Sequence, residues 1–298
     1  MTTRVALVTS ADFPTGEDFD GDLLLRACEA AGLAASWTLW DAPGMDWSSF
    51  DLAVVRSTWD YPPRREEYLR WADSVPALAN PAEVIRWSSS KIYLRDLAVA
   101  GVPVVPTQFV EPADDARWPE SGEFVVKPAV GAGSLGVGRF AAPADLDAAQ
   151  AHLEALHEHG RVAMIQPYIE GIDEAGETAL MYLGGRFSHA IRKGPMLPPS
   201  HVHRLLPEPG QVPFVAEAIT PRQPSAEELR VADVALAAVP AGSGLLYARV
   251  DLLPTAAGPI VGEIELVEPS LFLQHADGAA DRFAAAIAEV VASRRASR

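Results

Sequence analysis

The chain has 298 residues, 24 Lys and Arg against 40 Asp and Glu for a formal net charge of −16, and 49% hydrophobic residues. That is globular composition with apolar material for a sizeable core, so disorder is excluded, and so much negative charge without a Lys/Arg run excludes nucleic acid as a partner. The single cysteine, Cys28, forms no intrachain disulfide, no apolar run approaches the roughly 20 residues of a bilayer span, and the opening stretch is too short for a secretory signal; together these read as a cytoplasmic protein of two or three domains with no membrane partner.

In chain order, an apolar strand over residues 4–8 leads to a helix that Asp18 or Asp20 caps, with Leu23, Leu24, Ala27, Cys28 and Ala31 on one stripe and Gly32 as its stop. Strands over 36–40 and 52–55 follow. This β–α–β alternation with near-continuously apolar strands predicts a parallel sheet, whose ligands sit at the carboxyl ends of strands; Arg56-Ser-Thr-Trp-Asp-Tyr61 leaves one such end. Beyond Pro81 the pattern predicts a helix over 91–100 closed by Gly101 and Pro103, an extended stretch 104–110 and a linker over 111–122. A strand over 124–127, a glycine-rich loop 131–138, an extended 139–141, a helix over 146–157 and a strand over 162–166 come next. Strands over 178–183 and 186–191 flank Gly184-Gly185, a two-residue hairpin turn. Residues 196–224 read as a Pro-rich irregular loop. A helix over 226–238, strands over 246–253 and 259–266 and a helix over 279–292 complete the chain.

Of the 24 basic residues only three are lysines, Lys91, Lys127 and Lys193, in a composition that otherwise favours Arg. A lysine that persists in such a chain marks a place where a compact ammonium matters, because Arg and Lys are not interchangeable at phosphate sites. Gly131, Gly133 and Gly136 satisfy G-x-G-x-x-G spacing, but Gly138 and Pro143 bracket an extended stretch, so the loop joins two strands and is not a dinucleotide fingerprint. Such a loop can lie over phosphates with backbone N–H groups and the Ser134 hydroxyl; a plain Gly-rich hairpin is the alternative. Lys127 ends the strand just upstream, and the backbone of Gln166-Pro-Tyr168-Ile169 ends the following one, where it can meet an adenine edge.

Toward the C-terminus, Arg249-Val-Asp251 lies in one apolar strand and Glu263-Ile-Glu265 in the next, with Glu268 just beyond. Residues i and i+2 share a face, so Glu263 and Glu265 project together and strand pairing can bring Asp251 beside them. Grouped carboxylates repel unless a cation joins them, and hard oxygen ligands suit Mg²⁺ held together with phosphates; a solvated acidic face is the alternative.

Taken in order, Lys91, Lys127-Pro128, the glycine loop, Gln166 to Ile169, Arg249-x-Asp251 and Glu263-x-Glu265 resemble the ATP-grasp superfamily over most of the chain after about residue 85. The resemblance implies an α/β fold, α+β in parts, with three domains: an N-terminal parallel-sheet domain 1–88, a central lid 89–168 and a C-terminal domain 169–298. It implies ATP and Mg²⁺ between the last two, and ligation of a carboxylate to an amine through an acyl phosphate. Lys91 and Lys127 would then bind ATP phosphates under the glycine loop with Gly133, Ser134 and Gly136, while Gln166, Tyr168 and Ile169 hold adenine. Asp251, Glu263 and Glu265 would carry the metal, and Arg249 would neutralise the transferring phosphoryl group. Many members have Glu-x-Asn where this chain has Glu263-x-Glu265, which leaves open whether Glu265 or Glu268 is a ligand or receives a substrate ammonium.

Within the superfamily, Arg56-Ser-Thr-Trp-Asp-Tyr61 and Glu265-Leu-Val-Glu-Pro-Ser-Leu-Phe272 are similar to a small actinobacterial branch that includes a ligase cyclising O-ureido-D-serine to D-cycloserine. That implies activation of the substrate's own carboxylate, ring closure by its internal aminooxy nitrogen, and release of CO₂ and ammonia. Orientation alone is worth roughly 7–11 kcal/mol in an intramolecular attack, so no protein nucleophile is required. Arg56 with Ser57 would clamp the carboxylate, Glu268 would meet the ammonium beside Ser270, and Arg192 with Lys193 would reach the acyl phosphate. The bland alternatives pair Arg56 with Asp60 and leave Arg192-Lys193 solvated. The partner is then a small amino-acid-like substrate and the protein a monomer or homodimer. An intermolecular amino-acid or peptide ligase, and a nucleotide-binding regulator without chemistry, remain open. His201-Val-His203 lacks the further ligands a zinc site needs, and Trp59, Trp71 and Trp87 read as packing residues.

Overall fold

The computed structural model describes residues 2–11, 20–205, 218–240 and 244–297. The chain opens with β1 (Thr3–Thr9), α1 (Gly21–Ala30), β2 (Leu33–Leu39), β3 (Leu52–Ser57), α2 (Arg65–Ser74) and β4 (Leu78–Ala79), and the strands form a parallel sheet in the order β2-β1-β3-β4. Alternation along β1 sends Val5 and Leu7 to one face and Ala6 and Val8 to the other. The first pair shares a core with Leu24, Ala27 and Cys28 of α1, the second with Trp40, Trp47, Tyr68 and Trp71. Burial on both faces explains why these strands read as unbroken apolar runs. Asp18 lies outside the described residues. Asp20 does occupy the N-cap of α1, but its side chain makes no capping bond there.

Then come α3 (Ala82–Ser88) and α4 (Tyr93–Val99). The helix expected from residue 91 begins only at Tyr93, so Lys91 stands in the turn before it, its backbone N–H donating to Ala129 O at 2.7 Å. A second sheet, antiparallel, is built from β5 (Gln108–Val110), β6 (Gly122–Pro128), β7 (Gly138–Ala142) and β8 (Ala163–Pro167) in the order β5-β8-β6-β7, with α5 (Leu146–Glu158) across it. Of the extended stretch 104–110 only three residues join this sheet. Pro103 and Pro106 supply no N–H donors, and Val104 instead bridges Val261 of the last sheet.

The third sheet follows α6 (Gly171–Ala175) and comprises β9 (Glu177–Leu183), β10 (Arg186–Lys193), β11 (Ile219–Arg222), β12 (Tyr247–Thr255) and β13 (Gly258–Glu265), with α7 (Ala226–Ala237) between β11 and β12 and α8 (Ala279–Ala296) at the end. All its pairings are antiparallel, in the order β11-β10-β9-β12-β13. Gly184 and Gly185 turn the β9–β10 hairpin at φ 58° and 72°, the two positive values that a type I′ turn requires. One face of this sheet packs on α8, whose Phe283, Ile287 and Val291 continue into the core of the first sheet; the other packs on α4 and α7. Cys28 is buried in the shared core, where loss of solvent pushes its thiol up to about 11. No helix among the described residues is long and apolar enough to cross a membrane.

The stretch 196–224 is less irregular than its prolines imply. Residues 219–222 form β11, and Gly138 bridges Val202 in antiparallel register. Gly136 N donates to Arg204 O at 2.9 Å, His203 N to Val137 O at 2.8 Å and Arg139 N to His201 O at 2.9 Å. The glycine loop is thus tied along one edge by a short paired segment, residues 201–204. Residues 206–217 lie outside the described residues.

Candidate active site

A cavity of about 780 Å³ opens where the second sheet faces the third. All three lysines line it: Lys91 from the turn before α4, Lys127 from the end of β6 and Lys193 from the end of β10. Lys91 Nζ donates to Gly131 O at 3.2 Å and pairs with Glu263 Oε1 at 2.9 Å. Burial works against its charge, yet Glu263 outweighs it and holds the ammonium above the ordinary lysine value. For Lys127 burial prevails over the distant pull of Glu263, and Lys91 adds repulsion, so its ammonium is lowered. It has no hydrogen bond or ion pair among the described residues and is the group most in need of an anion.

The wall opposite is two cross-strand pairs. Register places Arg249 opposite Glu265 and Asp251 opposite Glu263, all four on one face of β12 and β13. Arg249 grips Asp251 with two bonds, Nε to Oδ1 at 2.9 Å and Nη2 to Oδ2 at 3.0 Å, and its Nη2 also donates to Glu265 Oε1. Lys193 Nζ reaches Asp251 Oδ2 at 2.7 Å and Glu177 Oε2 at 3.0 Å. Burial resists ionisation of Asp251, but Arg249 and Lys193 prevail and bring its carboxyl down to about 2. Burial also opposes Glu263, and Lys91 and Lys127 still hold it below the usual carboxylate range. Glu265 goes the other way: burial, helped by Glu263 and Asp251, pushes it up to about 7 despite Arg249. A mixed cluster of this kind is neutral enough to stay folded and polar enough to meet a polyanion.

The glycine loop roofs the cavity with Gly131, Gly133 and Ser134. Gly133, Ser134 and Gly136 all take positive φ, and Ser134 at 62° is a non-glycine residue held in the left-handed region, a strain that persists where surroundings impose it. Gly136 faces away from the cavity, against Leu156, Leu205 and Pro128, so its part is to let the backbone turn. Gln166, Tyr168 and Ile169 line the far end. Gln166 is fixed by donation to Thr107 Oγ1 at 2.7 Å; the Tyr168 hydroxyl donates to Asp173 at 2.6 Å while Arg139 stacks on its ring at 3.4 Å.

The other end is formed by Glu268, Ser270 and Phe272 with Trp59 and Tyr61. Burial, and then Glu265, push the Glu268 carboxyl well above the usual carboxylate range. Arg56 and Ser57 are not part of this lining. Arg56 is wholly buried, 3.7 Å from Asp20, and donates to Pro269 O at 3.2 Å; the Ser57 hydroxyl bonds Thr9 Oγ1 at 2.8 Å. Asp60, offered as the partner of Arg56, instead accepts from Trp40 and Arg64. Arg192 is likewise corrected: strand alternation turns Lys193 to the cavity and Arg192 away, where it donates to the carbonyls of Ala175 and Glu174. Glu177 lines the cavity without any sequence signal pointing to it; Phe272, the end of the Glu265–Phe272 string, His203, set aside as a zinc ligand, and Trp59, read as packing, do so too, Trp59 donating to Glu268 O at 3.1 Å.

The family described as D-cycloserine synthetase DcsG, N-terminal domain, matches residues 5–81. The cycloserine biosynthesis protein DcsG of Streptomyces lavendulae is 39% identical over 96% of this chain and 98% of its own. The chain belongs to the DcsG family. The crystal structure of D-cycloserine synthetase DcsG superposes with a TM-score of 0.84 at 38% identity, covering 97% of this chain and 99% of the other. D-alanine–D-alanine ligase of Bacillus anthracis, solved with ATP, matches at a TM-score of 0.67 and 17% identity over 99% of both chains, a likeness of fold. This DcsG-family chain is therefore an ATP-grasp ligase that forms carbon–nitrogen bonds.

Magnesium is the metal usual in this fold, and the donor chemistry of the cavity fits it. Glu263 and Glu265 stand 27% and 28% exposed in the lining, and Mg²⁺ needs only one or two carboxylates together with phosphate oxygens. Asp251 fits differently from expectation: it lies beneath the lining at 2% exposure with both oxygens taken. Among the described residues no three His, Cys, Asp or Glu side chains converge as a ready-made metal-holding group.

Proposed function

We propose that this ligase cyclises O-ureido-D-serine to D-cycloserine. The γ-phosphoryl group of ATP passes to the substrate carboxylate, giving ADP and an acyl phosphate. The internal aminooxy nitrogen attacks the acyl carbon, expelling phosphate, and water removes the ureido carbonyl as CO₂ and ammonia. The carrying observation is the convergence of every lysine in the chain with Arg249 on one cavity whose opposite wall is carboxylate. In this reading Lys91 and Lys127 hold phosphates under Gly133 and Ser134, Gln166, Tyr168 and Ile169 receive adenine, and Arg249 steadies charge on the transferring group. Glu263 and Glu265 would hold Mg²⁺, which supplies charge neutralisation among phosphate oxygens. Glu268 and Ser270 receive the substrate ammonium, which the Glu268 carboxyl meets as its counter-charge. The three sheets correspond to working units 1–88, 89–168 and 169–298, with nucleotide between the last two.

Phosphate and D-cycloserine formed from O-ureido-D-serine with ATP and Mg²⁺, and no second amine, is the expected result. ADP release only when a separate amine is added would overturn the cyclisation, and binding of ATP without phosphate release from any small amino acid would overturn the chemistry.

A further inference from the structure

Residues 268–273 leave β13 and bring Glu268, Ser270 and Phe272 to the cavity, and side chains from outside hold their backbone. Asp20 accepts from two amides at once, Leu271 N to Oδ2 at 3.1 Å and Leu273 N to Oδ1 at 2.6 Å. An aspartate at a helix N-cap ordinarily accepts from the first turn of its own helix; Asp20 makes no such bond and spends both oxygens on a segment some 250 residues away. Between the two clamped amides sits Phe272 at φ 51°, a left-handed backbone that a bulky residue keeps only when its surroundings dictate it. That conformation lays its ring under the Arg249 guanidinium at 5.7 Å, while Arg249 Nη1 donates to Ser270 O at 3.2 Å. Arg56, 3.7 Å from Asp20, donates to Pro269 O, and Trp59 anchors Glu268 O. Asp20 and Arg56 are 2% and 0% exposed, and neither lines the cavity.

We infer that Asp20 and Arg56 are a positioning pair through which the N-terminal sheet sets the backbone of residues 268–273, and with it the end of the cavity that takes the amino-acid substrate. The functional half of this rests on the ligase reading above. The pair touches neither nucleotide nor acid; it fixes which way the segment's carbonyls, amides and the Phe272 ring face. A clamp of two hydrogen bonds gives graded loss when dismantled, since Asp20→Asn keeps one acceptor oxygen and Asp20→Leu keeps none.

The test takes wild type, Asp20→Asn, Asp20→Leu, Arg56→Lys and Arg56→Met as full-length proteins. It measures KM for the acid and for ATP separately, together with hydrogen exchange at the Leu271 and Leu273 amides. KM for the acid is expected to rise at least tenfold in Asp20→Leu, less in Asp20→Asn, and less in Arg56→Lys than in Arg56→Met, with KM for ATP within twofold of wild type. Exchange at Leu271 and Leu273 should quicken at least tenfold while β12 amides hold. Equal rises in both KM values with faster exchange throughout the sheet would mark a general folding role and overturn the inference, as would an unchanged acid KM in Asp20→Leu. Should Asp20→Leu fail to fold, Asp20→Asn and Arg56→Lys decide. If wild type turns over no acid, the function reading falls, and exchange at the two amides alone upholds or rejects the clamp.

Discussion

Arg249 and Asp251, two residues apart on one face of β12, are locked fork to fork, and Lys193 closes on the same carboxylate. Asp251→Asn keeps the shape and deletes the charge, stranding buried cations, and should cost about 3–5 kcal/mol in urea denaturation at neutral pH. The pH dependence has a definite sign. With its carboxyl at about 2 instead of the ordinary 3.8, Asp251 binds protons less readily folded than unfolded. Its contribution is complete above roughly pH 4 and fades as pH falls toward 2, on the order of 2 kcal/mol. The metal-free wild type should show this acid limb more steeply than Asp251→Asn; superimposable limbs would disprove the assignment.

Lys127 has no ion pair among the described residues, and Glu263, which feels its charge, keeps Lys91 as its partner when Lys127 is removed. Lys127→Ala should melt at or slightly above the wild-type temperature, since a half-buried ammonium without a partner is itself unfavourable. Phosphate release should fall by a factor of roughly 100 or more, the scale on which a lost charge contact to a transferring group is felt. Near-normal turnover in a folded variant would remove Lys127 from the site.

Gly176, at φ 69°, joins α6 to β9 with its missing Cβ aimed at the Lys193 carbonyl and the Arg192 side chain. Gly176→Ala must therefore push on the strand end that delivers Lys193, and should lower both stability, by about 1–3 kcal/mol, and turnover. Gly185→Ala is the matched control, equally left-handed at φ 72° but facing open space, and should lose stability alone. Thermal melting and steady-state rates of the two variants, side by side, separate strain from displacement.

The best-made helix start is remote from the cavity. Ser225 Oγ accepts from Glu228 N at 3.1 Å while Glu228 Oε2 accepts from Ser225 N at 2.7 Å, a reciprocal capping box on α7. Ser225→Ala should cost about 1 kcal/mol in denaturant unfolding with kcat unchanged. A change in kcat would mean that α7 communicates with the β12–β13 wall.

The parts legible in the sequence were those that local pattern controls. Unbroken apolar runs marked β1 and β3 because helices and side chains cover both faces of their sheet, and Gly184-Gly185 fixed its hairpin because two positive φ values need that pair. Lys91, Lys127 and Lys193 stood out because arginine had replaced lysine everywhere else, and all three face one cavity. Depth was not legible: i, i+2 spacing gives Asp251 and Arg249 the same face but not the fact that Asp251 lies beneath. Alternation along β10 is the local signal that separates Arg192 from Lys193. The partnership of Asp20 with Leu271 and Leu273 spans about 250 residues and offers no periodicity to read. The backbone pairing of residues 201–204 with the glycine loop is hidden in the sequence because the prolines around it mask backbone pairing.

The burial of Cys28 has a practical side. A thiol held near 11 and closed to solvent stays silent toward maleimides while the protein is folded, so the natural chain already behaves as a cysteine-free background. Fluorophores attached through new cysteines at exposed positions such as Val99 and Met45 would report distances between the outer surfaces of the molecule during turnover, with no engineering of the interior needed first.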